Sequence, residues 1–140
     1  MDELDRKLLS MLRDDGRASV ATLAKHLGVA RGTVQNRLAK LEADGTIVGY
    51  SVRLKPQHEE QRIRGLMMVT VQGSRLEAVL KSLRGEPAVA ALHTTNGHWD
   101  IVAEVRADSL QAFDAVLTRI RQLDGIASTE TSLLLSTHKF

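Results

Sequence analysis

The sequence contains no cysteine, few aromatic residues and no long apolar run. Without cysteine, the chain can form no disulfide framework, zinc finger or thiol nucleophile. No stretch approaches the roughly 18 consecutive apolar residues that a membrane helix needs. Three of the first five residues, Asp2, Glu3 and Asp5, are acidic, whereas a secretory signal begins with basic residues. We therefore expect a cytoplasmic protein with no membrane partner.

The five histidines do not form a metal or catalytic cluster, because they are scattered over different predicted elements. The sequence also lacks a phosphate-binding glycine loop and any pairing of a nucleophile with a base. We therefore expect a protein that is not an enzyme and that holds no metal or cofactor. The histidines are His26, His58, His93, His98 and His138.

Positive charge is concentrated in one part of the chain, although the net charge is only +2. Between Gly16 and His58 there are seven basic residues and two acidic ones, a local charge of +5. A basic segment inside a nearly neutral chain is typical of a surface that binds a polyanion.

Three amphipathic helices are predicted in the first 45 residues. The first ends at Asp15-Gly16, the second is capped by Ser19 and ends at Gly28, and the third ends at Asp44-Gly45. Their apolar stripes are Leu4, Leu8, Met11 and Leu12; Leu23, Ala24 and Leu27; and Val34, Leu38 and Leu41.

The spacing of Ala24, Gly28 and Val34 predicts a helix-turn-helix. The small alanine allows the two helices to cross closely, the glycine turns the chain sharply, and the valine fills the angle between the helices. On the third helix, polar residues fall opposite the buried stripe. Such side chains can contact bases and phosphates, although a merely solvated helix face is the alternative interpretation. The candidate DNA-binding residues are Arg17, Ser19, Arg31, Thr33, Gln35, Asn36 and Lys40.

Two residues of this region have a structural interpretation beside the functional one. Ser19 can serve purely as a helix cap. Arg37 lies close to the buried stripe, and we favour an ion pair with Asp5 or Asp44 over base contact.

A short hairpin wing is predicted after the third helix, from Thr46 to Leu54, and Pro56 stops it. Residues 1–56 are thus expected to form a winged helix-turn-helix domain. The polar residues that follow, 57–63, are expected to be a linker.

The second domain, residues 64–140, shows the order strand, helix, strand, strand, helix, strand. This βαββαβ order predicts a ferredoxin-like antiparallel sheet, and the fold class is α+β. Ser74 is the expected cap of the first of its helices. The strand Gly65–Val71 is apolar on both faces, so helices should cover one face of the sheet and a partner subunit the other.

A family resemblance runs through six stretches of the chain: Leu4–Leu9, Asp15–Ser19, Leu23-Ala24 through Gly28-Val29, Arg37-Leu38 with Leu41-Glu42, Gly45–Tyr50, and Asn96–Asp100. Through them the whole chain resembles the Lrp/AsnC family, also called feast/famine regulatory proteins, and Asn96–Asp100 looks like that family's Gly-x-x-Asp signature. The resemblance implies a homodimer that can assemble into tetramers or octamers, binds double-stranded DNA and responds to an amino acid or related small molecule. Two departures are Ala30, where the family usually has a capping serine, and His98, where it is often acidic or small.

The resemblance places the effector near one loop of the second domain, for which the candidate residues are Asn96, Gly97, His98, Trp99 and Asp100. Free main-chain N–H groups could bind a carboxylate and Asp100 an ammonium group. The alternative is a simple hairpin turn, with positive φ at Asn96-Gly97 and Asp100 bonded to local amides. Trp99 is more consistent with an interface. Thr129 and Thr131 are weaker effector candidates.

The function predicted from the sequence is that of a sequence-specific DNA-binding transcription regulator that responds to an amino acid or related metabolite. The alternative is an RNA-binding protein, because an RNA recognition domain has the same βαββαβ order. Such sheets carry aromatic residues for base stacking. The strand from Leu66 to Val71 has none, and only Trp99 is nearby, which favours the DNA-binding regulator.

Overall fold

The computed structural model describes residues 1–58 and 63–139, and the chain divides into two compact units between Arg53 and Leu54. Part of the predicted linker, residues 59–62, lies outside the described residues. Residues 57 and 58 belong to a single 3₁₀ turn, and Ile63 belongs to a strand instead of the linker. The domain boundaries otherwise stay a prediction.

The first unit contains three helices: α1, Glu3–Asp14; α2, Val20–Leu27; and α3, Arg31–Ala43. The predicted apolar stripes meet in one small core, because residues of all three helices are buried together. The fully buried side chains are Leu8, Leu23, Ala24, Val34 and Leu41.

The ends of these helices follow the local sequence. Asp2 caps α1 by accepting the Asp5 N–H at 2.9 Å, and the Ser19 hydroxyl caps α2 by accepting the Thr22 N–H at 3.1 Å. Gly28 ends α2 with a φ of 68°, a conformation that side-chain-bearing residues rarely adopt. Ala30 precedes α3 without a side-chain cap. The predictions for Ser19, Gly28 and Ala30 are confirmed.

The hairpin wing predicted from Thr46 to Leu54 is wrong for the single chain. Among the described residues, none between Asp44 and Lys55 belongs to a strand. The Thr46 N–H donates to Asp44 Oδ1 and the Ile47 N–H to the Leu41 carbonyl, so the segment begins by folding back on the end of α3. The segment therefore forms no hairpin in the described part of the chain.

The second unit contains four strands and two helices in the predicted βαββαβ order. The strands form one antiparallel sheet in the order β2-β3-β1-β4. Its elements are β1, Ile63–Val71; α4, Leu76–Arg84; β2, Val89–Thr94; β3, Ile101–Ala107; α5, Leu110–Arg121; and β4, Ile126–Leu133. The predicted α+β ferredoxin-like fold is confirmed, although the last strand ends at Leu133 and not near Thr137.

The two faces of this sheet have different surroundings. On one face, alternate residues of β1 and β3 are buried against α4 and α5. The opposite face, which we call the open face, carries half-buried apolar side chains at its centre. These are Leu66, Met68 and Val102, and the pairing of Met68 with Val102 places them on adjacent strands. Two helices therefore cover one sheet face, and no helix or strand of the described part of the second unit covers the other.

The predicted cap of α4 at Ser74 is wrong. The N-cap position is Arg75, which makes no side-chain cap hydrogen bond. Gly73 adopts a φ of 49°, and the Arg75 N–H donates to the Gln72 carbonyl. This turn delays the start of the helix by one residue.

The close packing of α5 on the sheet predicts that a side chain at Gly65 is costly. A Cβ there would lie 2.5 Å from Phe113 Cζ and 2.9 Å from the Ser132 carbonyl oxygen. The ring can shift, but the backbone oxygen cannot. Gly65→Val should lower the free energy of unfolding by roughly 1–3 kcal/mol, measured by urea unfolding with the fluorescence of Trp99, the only tryptophan.

Gly97→Ala is the matched control, because a Cβ at that position makes only an ordinary 3.7 Å contact. Its stability should stay within about 0.5 kcal/mol of the parent. Equal stability of the two variants would mean that α5 does not pack on the sheet at this distance.

Candidate DNA-binding and effector sites

The geometry of α2 and α3 is that of a helix-turn-helix. The Gly28 and Val29 N–H groups both bond to carbonyls of the last turn of α2, Val29 to Ala24 at 3.1 Å. Ala24 and Val34 are buried where the helices cross, with 4% and 1% of their surface exposed. The turn residues thus have the roles that their spacing predicts.

The predicted DNA-contacting side chains of α3 lie along its solvent side. Arg31, Gln35, Asn36 and Lys40 are exposed, and Thr33 is half-buried. A Cβ at Gly32 would have no neighbour within 4 Å. The N-terminal end of the solvent side of α3 therefore leaves room for a binding partner to approach the backbone closely. The structure brings these residues together on one helix, and their contact with DNA stays a prediction.

The two candidates before α2 differ in their surroundings. The Ser19 hydroxyl donates to Thr22 Oγ1 at 2.8 Å as well as capping the helix, so its structural role is established. The side chain of Arg17 is exposed, and its backbone N–H donates to Asp15 Oδ1 at 2.9 Å. Arg17 therefore extends the basic surface beside α2.

Arg37 joins the recognition helix α3 to the N-terminal end of α1. Its guanidinium donates to Asp5 Oδ1 at 3.2 Å and to Asp2 Oδ2. Of the two partners considered from sequence, Asp5 is confirmed and Asp44 is not a partner. The sequence did not lead us to Asp2 as a partner of Arg37. The signal available in the sequence was that Asp2 and Asp5 both lie at the start of α1, where the Asp2 carboxylate caps the helix.

The ion pair changes the protonation of its members. The hydrogen bond from Arg37 first, and the Asp5 backbone N–H second, lower the pKa of Asp2 from 3.8 to about 2. The hydrogen bonds from the Arg37 guanidinium to the carboxylates of Asp2 and then Asp5 raise the pKa of Arg37. Asp5 itself is buried, so Arg37 supplies the positive charge that a buried carboxylate requires.

The candidate effector loop joins β2 to β3 beside the end of β1. The Asp100 N–H donates to the Val69 carbonyl at 2.9 Å, and Asp100 Oδ2 accepts the Val71 N–H at 2.9 Å. Asp100 therefore bonds to β1, 29 residues away in sequence, and the expectation of local amide partners is wrong. One carboxylate oxygen is engaged with the backbone in this way.

Thr95 organises the rest of the loop. Its hydroxyl donates to the Trp99 carbonyl and accepts the Gly97 N–H at 3.1 Å. The expected positive φ at Asn96-Gly97 is wrong, because neither is among the positive-φ residues of the described chain. Sequence reasoning missed Thr95, although a hydroxyl residue just before Asn-Gly can indicate such a side-chain turn.

The remaining effector candidates surround this loop. Asn96, Gly97 and His98 are exposed, whereas Trp99 is half-buried. The rings of His98 and Trp99 meet edge to face, with centroids 5.0 Å apart. Effector binding by these residues stays a prediction.

The two threonines of β4 face the helix side of the sheet. Thr129 pairs with Val69, and Thr131 with Met67. The buried Thr131 hydroxyl has no hydrogen-bond partner in the described part of the chain. Of these two threonines, only Thr129 pairs with Val69, the residue of β1 whose carbonyl accepts the Asp100 N–H.

Two family models match the chain. The Lrp/AsnC ligand binding domain matches residues 65–140, and the AsnC-type helix-turn-helix domain matches residues 1–42. An HTH-type transcriptional regulator of Pyrococcus furiosus is 30% identical over 135 residues, which cover 96% of this chain and 91% of that protein. The chain belongs to the Lrp/AsnC family of transcriptional regulators.

Solved structures of this family share the fold over the whole chain. AsnC of E. coli is 28% identical with a TM-score of 0.85, and the match covers 100% of this chain and 95% of that one. A regulator of Neisseria meningitidis, solved as a complex with L-Met, is 22% identical with a TM-score of 0.84, covering 100% and 93%. At that identity the second likeness establishes the fold alone.

Membership of the Lrp/AsnC family confirms the predicted function, a DNA-binding transcription regulator, over the RNA-binding alternative. Among the described residues, no group of three or more histidine or carboxylate side chains is arranged to hold a metal ion. No helix in the described ranges is long and apolar enough to cross a membrane.

The contact of Arg37 with Asp2 predicts a specific pH dependence. Because the pKa of Asp2 is lower in the folded chain, the ion pair stabilises the fold above about pH 3.8. This stabilisation is lost as the pH falls from 3.8 through about 2. Arg37→Gln should lower the urea midpoint of helix unfolding at neutral pH and flatten its dependence below pH 4, measured by circular dichroism.

Lys25→Gln is the control, because it removes one exposed cation of the same unit from α2. That variant should keep the parent's acid profile. An unchanged profile in Arg37→Gln would show that the ion pair with Asp2 is not formed in solution.

Proposed function

We propose that this regulator binds DNA by placing the exposed face of α3 in the major groove. The observation that carries the proposal is the exposure of Asn36 and Lys40 on the helix that follows the Gly28 turn. In helix-turn-helix proteins the second helix of the motif enters the groove. The small, polar face of α3 suits this approach.

The proposed contacts divide by chemistry. Asn36 and Gln35 can each bond two positions of an adenine edge, and Thr33 can contact a thymine methyl group. Arg31, Lys40 and Arg17 neutralise phosphates, which fixes the position of the helix without specifying sequence.

The charge of the first unit is consistent with these contacts. Of the seven basic residues between Gly16 and His58, Arg37 is neutralised by Asp2 and Asp5. Arg31 and Lys40 stand at opposite ends of α3. Arg31 and Lys40 therefore place positive charge on both sides of the side chains proposed to contact bases.

We infer that the functional species is a homodimer, which can assemble further into tetramers or octamers. The open face of the sheet presents the half-buried Leu66, Met68 and Val102 to solvent in the single chain. A second copy would cover this apolar surface. A symmetric dimer would also present two copies of α3 to the two half-sites of an operator. We expect the regulator to act on DNA in the cytoplasm.

We further infer that the second unit binds an amino acid or related small molecule at the Asn96–Asp100 loop. Support comes from the matching ligand-binding domain model and from the L-Met complex of the Neisseria relative. Asp100 has one oxygen held by Val71, and its charge remains available to an ammonium group. The role of this protein is thus regulatory and not enzymatic.

The assignment of α3 predicts different effects for its two kinds of side chain. Asn36→Ala should reduce discrimination between operator and random duplex by about 1–3 kcal/mol. Lys40→Ala should weaken binding to every duplex and reduce the salt slope by about 1. Both are measured by fluorescence anisotropy across a salt series, with duplexes from the gene's own upstream region.

Lys81→Ala is the control, since Lys81 is an exposed cation on α4 of the other unit. It should bind DNA as the parent does. If Asn36→Ala and Lys40→Ala also bound as the parent does, or if random single-stranded RNA bound as tightly as the operator, the proposed DNA contacts would be wrong.

The effector site is tested by Asp100→Asn, which keeps an oxygen to accept the Val71 N–H but removes the charge. In the parent, the amino acid that binds should stabilise the fold by about 2.7 kcal/mol at 100 times its Kd. We expect this gain to disappear in Asp100→Asn. Thermal unfolding is measured with a panel of twenty amino acids.

Asp108→Asn, which removes an exposed carboxylate outside the loop, should keep the response. Full stabilisation of Asp100→Asn would exclude Asp100 as the ammonium partner. No response of the parent to any amino acid would exclude this ligand class.

A further inference from the structure

The open face of the sheet carries charged side chains beside its apolar centre. Arg64 and Arg106 lie on this face, directly opposite each other on β1 and β3, and both are half-buried. Glu104 lies next to them on β3, and Glu130 lies on β4 opposite Met68. The face that we propose for dimerisation therefore combines arginines and glutamates with its apolar side chains.

One of the two arginines has a carboxylate partner within the chain. Arg106 donates to Glu104 Oε1 at 3.2 Å, and the two side chains are 35% and 24% exposed. The Arg106 Nε is buried and has no hydrogen-bond partner in the part of the chain that the structure describes. Glu104 thus meets only part of the need of one guanidinium, and its charge is already engaged.

Arg64 and Glu130 have no charged partner among the described residues. Arg64 donates to the uncharged Thr137 hydroxyl at 2.7 Å, and none of the ion pairs of the described chain involves Arg64 or Glu130. Arg64 faces Arg106 instead, and like charges directly opposite each other destabilise a strand pair. A further carboxylate at Arg64 would offset this repulsion.

We propose that Glu130 of a second copy binds Arg64 across the paired open faces, so that two equivalent ion pairs orient the homodimer. This inference rests on the proposed homodimer and specifies how its two sheets are placed on each other. In a symmetric dimer, a contact of residue 64 with residue 130 occurs twice. Each copy thus supplies the charge that the other lacks.

The positions of the two charges define where the two-fold axis lies. Glu130 pairs with Met68, four residues along β1 from Arg64, so the two charged residues are separated by about 13 Å along the strands. An axis between the sheets that exchanges them must pass midway, at the row formed by Leu66 and Ser132. Leu66 then packs against its own copy. The charge pairing and the burial of apolar surface therefore favour the same arrangement.

A second copy is the occupant that suits this face. The half-buried Leu66, Met68 and Val102 form an apolar centre that a partner would cover. A small anion would neutralise Arg64, but it would leave the apolar centre in water and Glu130 without a cation. A second copy covers the centre and pairs both charges.

Charge reversal tests the pairing. Arg64→Glu brings two carboxylates together at each contact and Glu130→Arg two guanidiniums, so each variant alone should dimerise roughly tenfold more weakly, or worse. An equimolar mixture of the two variants should form a heterodimer in which both ion pairs are restored. The double variant should recover the parent's affinity. Dimerisation is measured by sedimentation equilibrium, and circular dichroism establishes that each variant is folded.

Glu77→Arg is the matched control, because Glu77 is an exposed carboxylate on α4, on the helix-covered side of the sheet. It should dimerise as the parent does. Single variants that dimerise as tightly as the parent, or a double variant and a mixture that recover nothing, would overturn the ion pair and leave the proposed homodimer intact. A parent that sediments as a monomer would overturn both.

The absence of cysteine allows a separate test of the axis, since one introduced cysteine can link only to its copy. With the sheets about 10 Å apart, Leu66→Cys should be linked to its copy by a short bismaleimide. Ser128→Cys should stay unlinked, because its copies would be roughly 25 Å apart. A dimer in which Leu66→Cys fails to link, or in which Ser128→Cys links equally well, would contradict an axis at Leu66.

Discussion

A four-stranded sheet has two faces, and the two helices of the second unit can cover only one of them. The central strand β1 is apolar on both faces at its middle: Met67 and Val69 are buried under the helices, and Met68 lies on the open side next to Val102 of β3. Burying apolar surface is the main favourable term in folding and association. The same constraint that forms the core of this unit therefore leaves a surface suited to a second copy. A symmetric pair of DNA-binding helices is a direct consequence of such an assembly.

The recognition helix is held by polar contacts as well as by its core. The core of the first unit is small, with five buried apolar side chains and partly buried ones packed around them. Arg37 adds a directional contact, because it bonds from α3 to the two carboxylates that shape the first turn of α1. Arg37, which is half-buried beside the apolar stripe of α3, thus serves for positioning. Its neighbours Asn36 and Lys40 remain available for DNA.

Elements whose determinants are close in sequence could be predicted from it. The periodic stripes of α1 to α3, the Gly28 turn and the Ser19 cap depend on residues within one or two turns of each other. The order of strands in the second unit follows from the same local patterns.

Features that depend on distant partners could not be predicted from the sequence. Asp2 contacts Arg37 across 35 residues, and Asp100 contacts Val71 across 29. The strand character of residues 46–54 was evident, but a hairpin requires a second strand, and the pattern does not say which chain supplies it. The wing prediction took the strand-like pattern of this segment to mean that the segment pairs with itself as a hairpin.

In the proposed effector loop, Asn96–Asp100, one residue would serve structure and regulation together. Asp100 holds the end of β1 through its backbone and through one carboxylate oxygen. A ligand that binds its charge would also alter the hydrogen bond to Val71, because both act on the same carboxylate. Val71 is the last residue of a central strand whose other residues line the open face and the core. Ligand binding at this loop would therefore act on the strand that both the core and the proposed dimer share, which gives a physical route from effector to assembly.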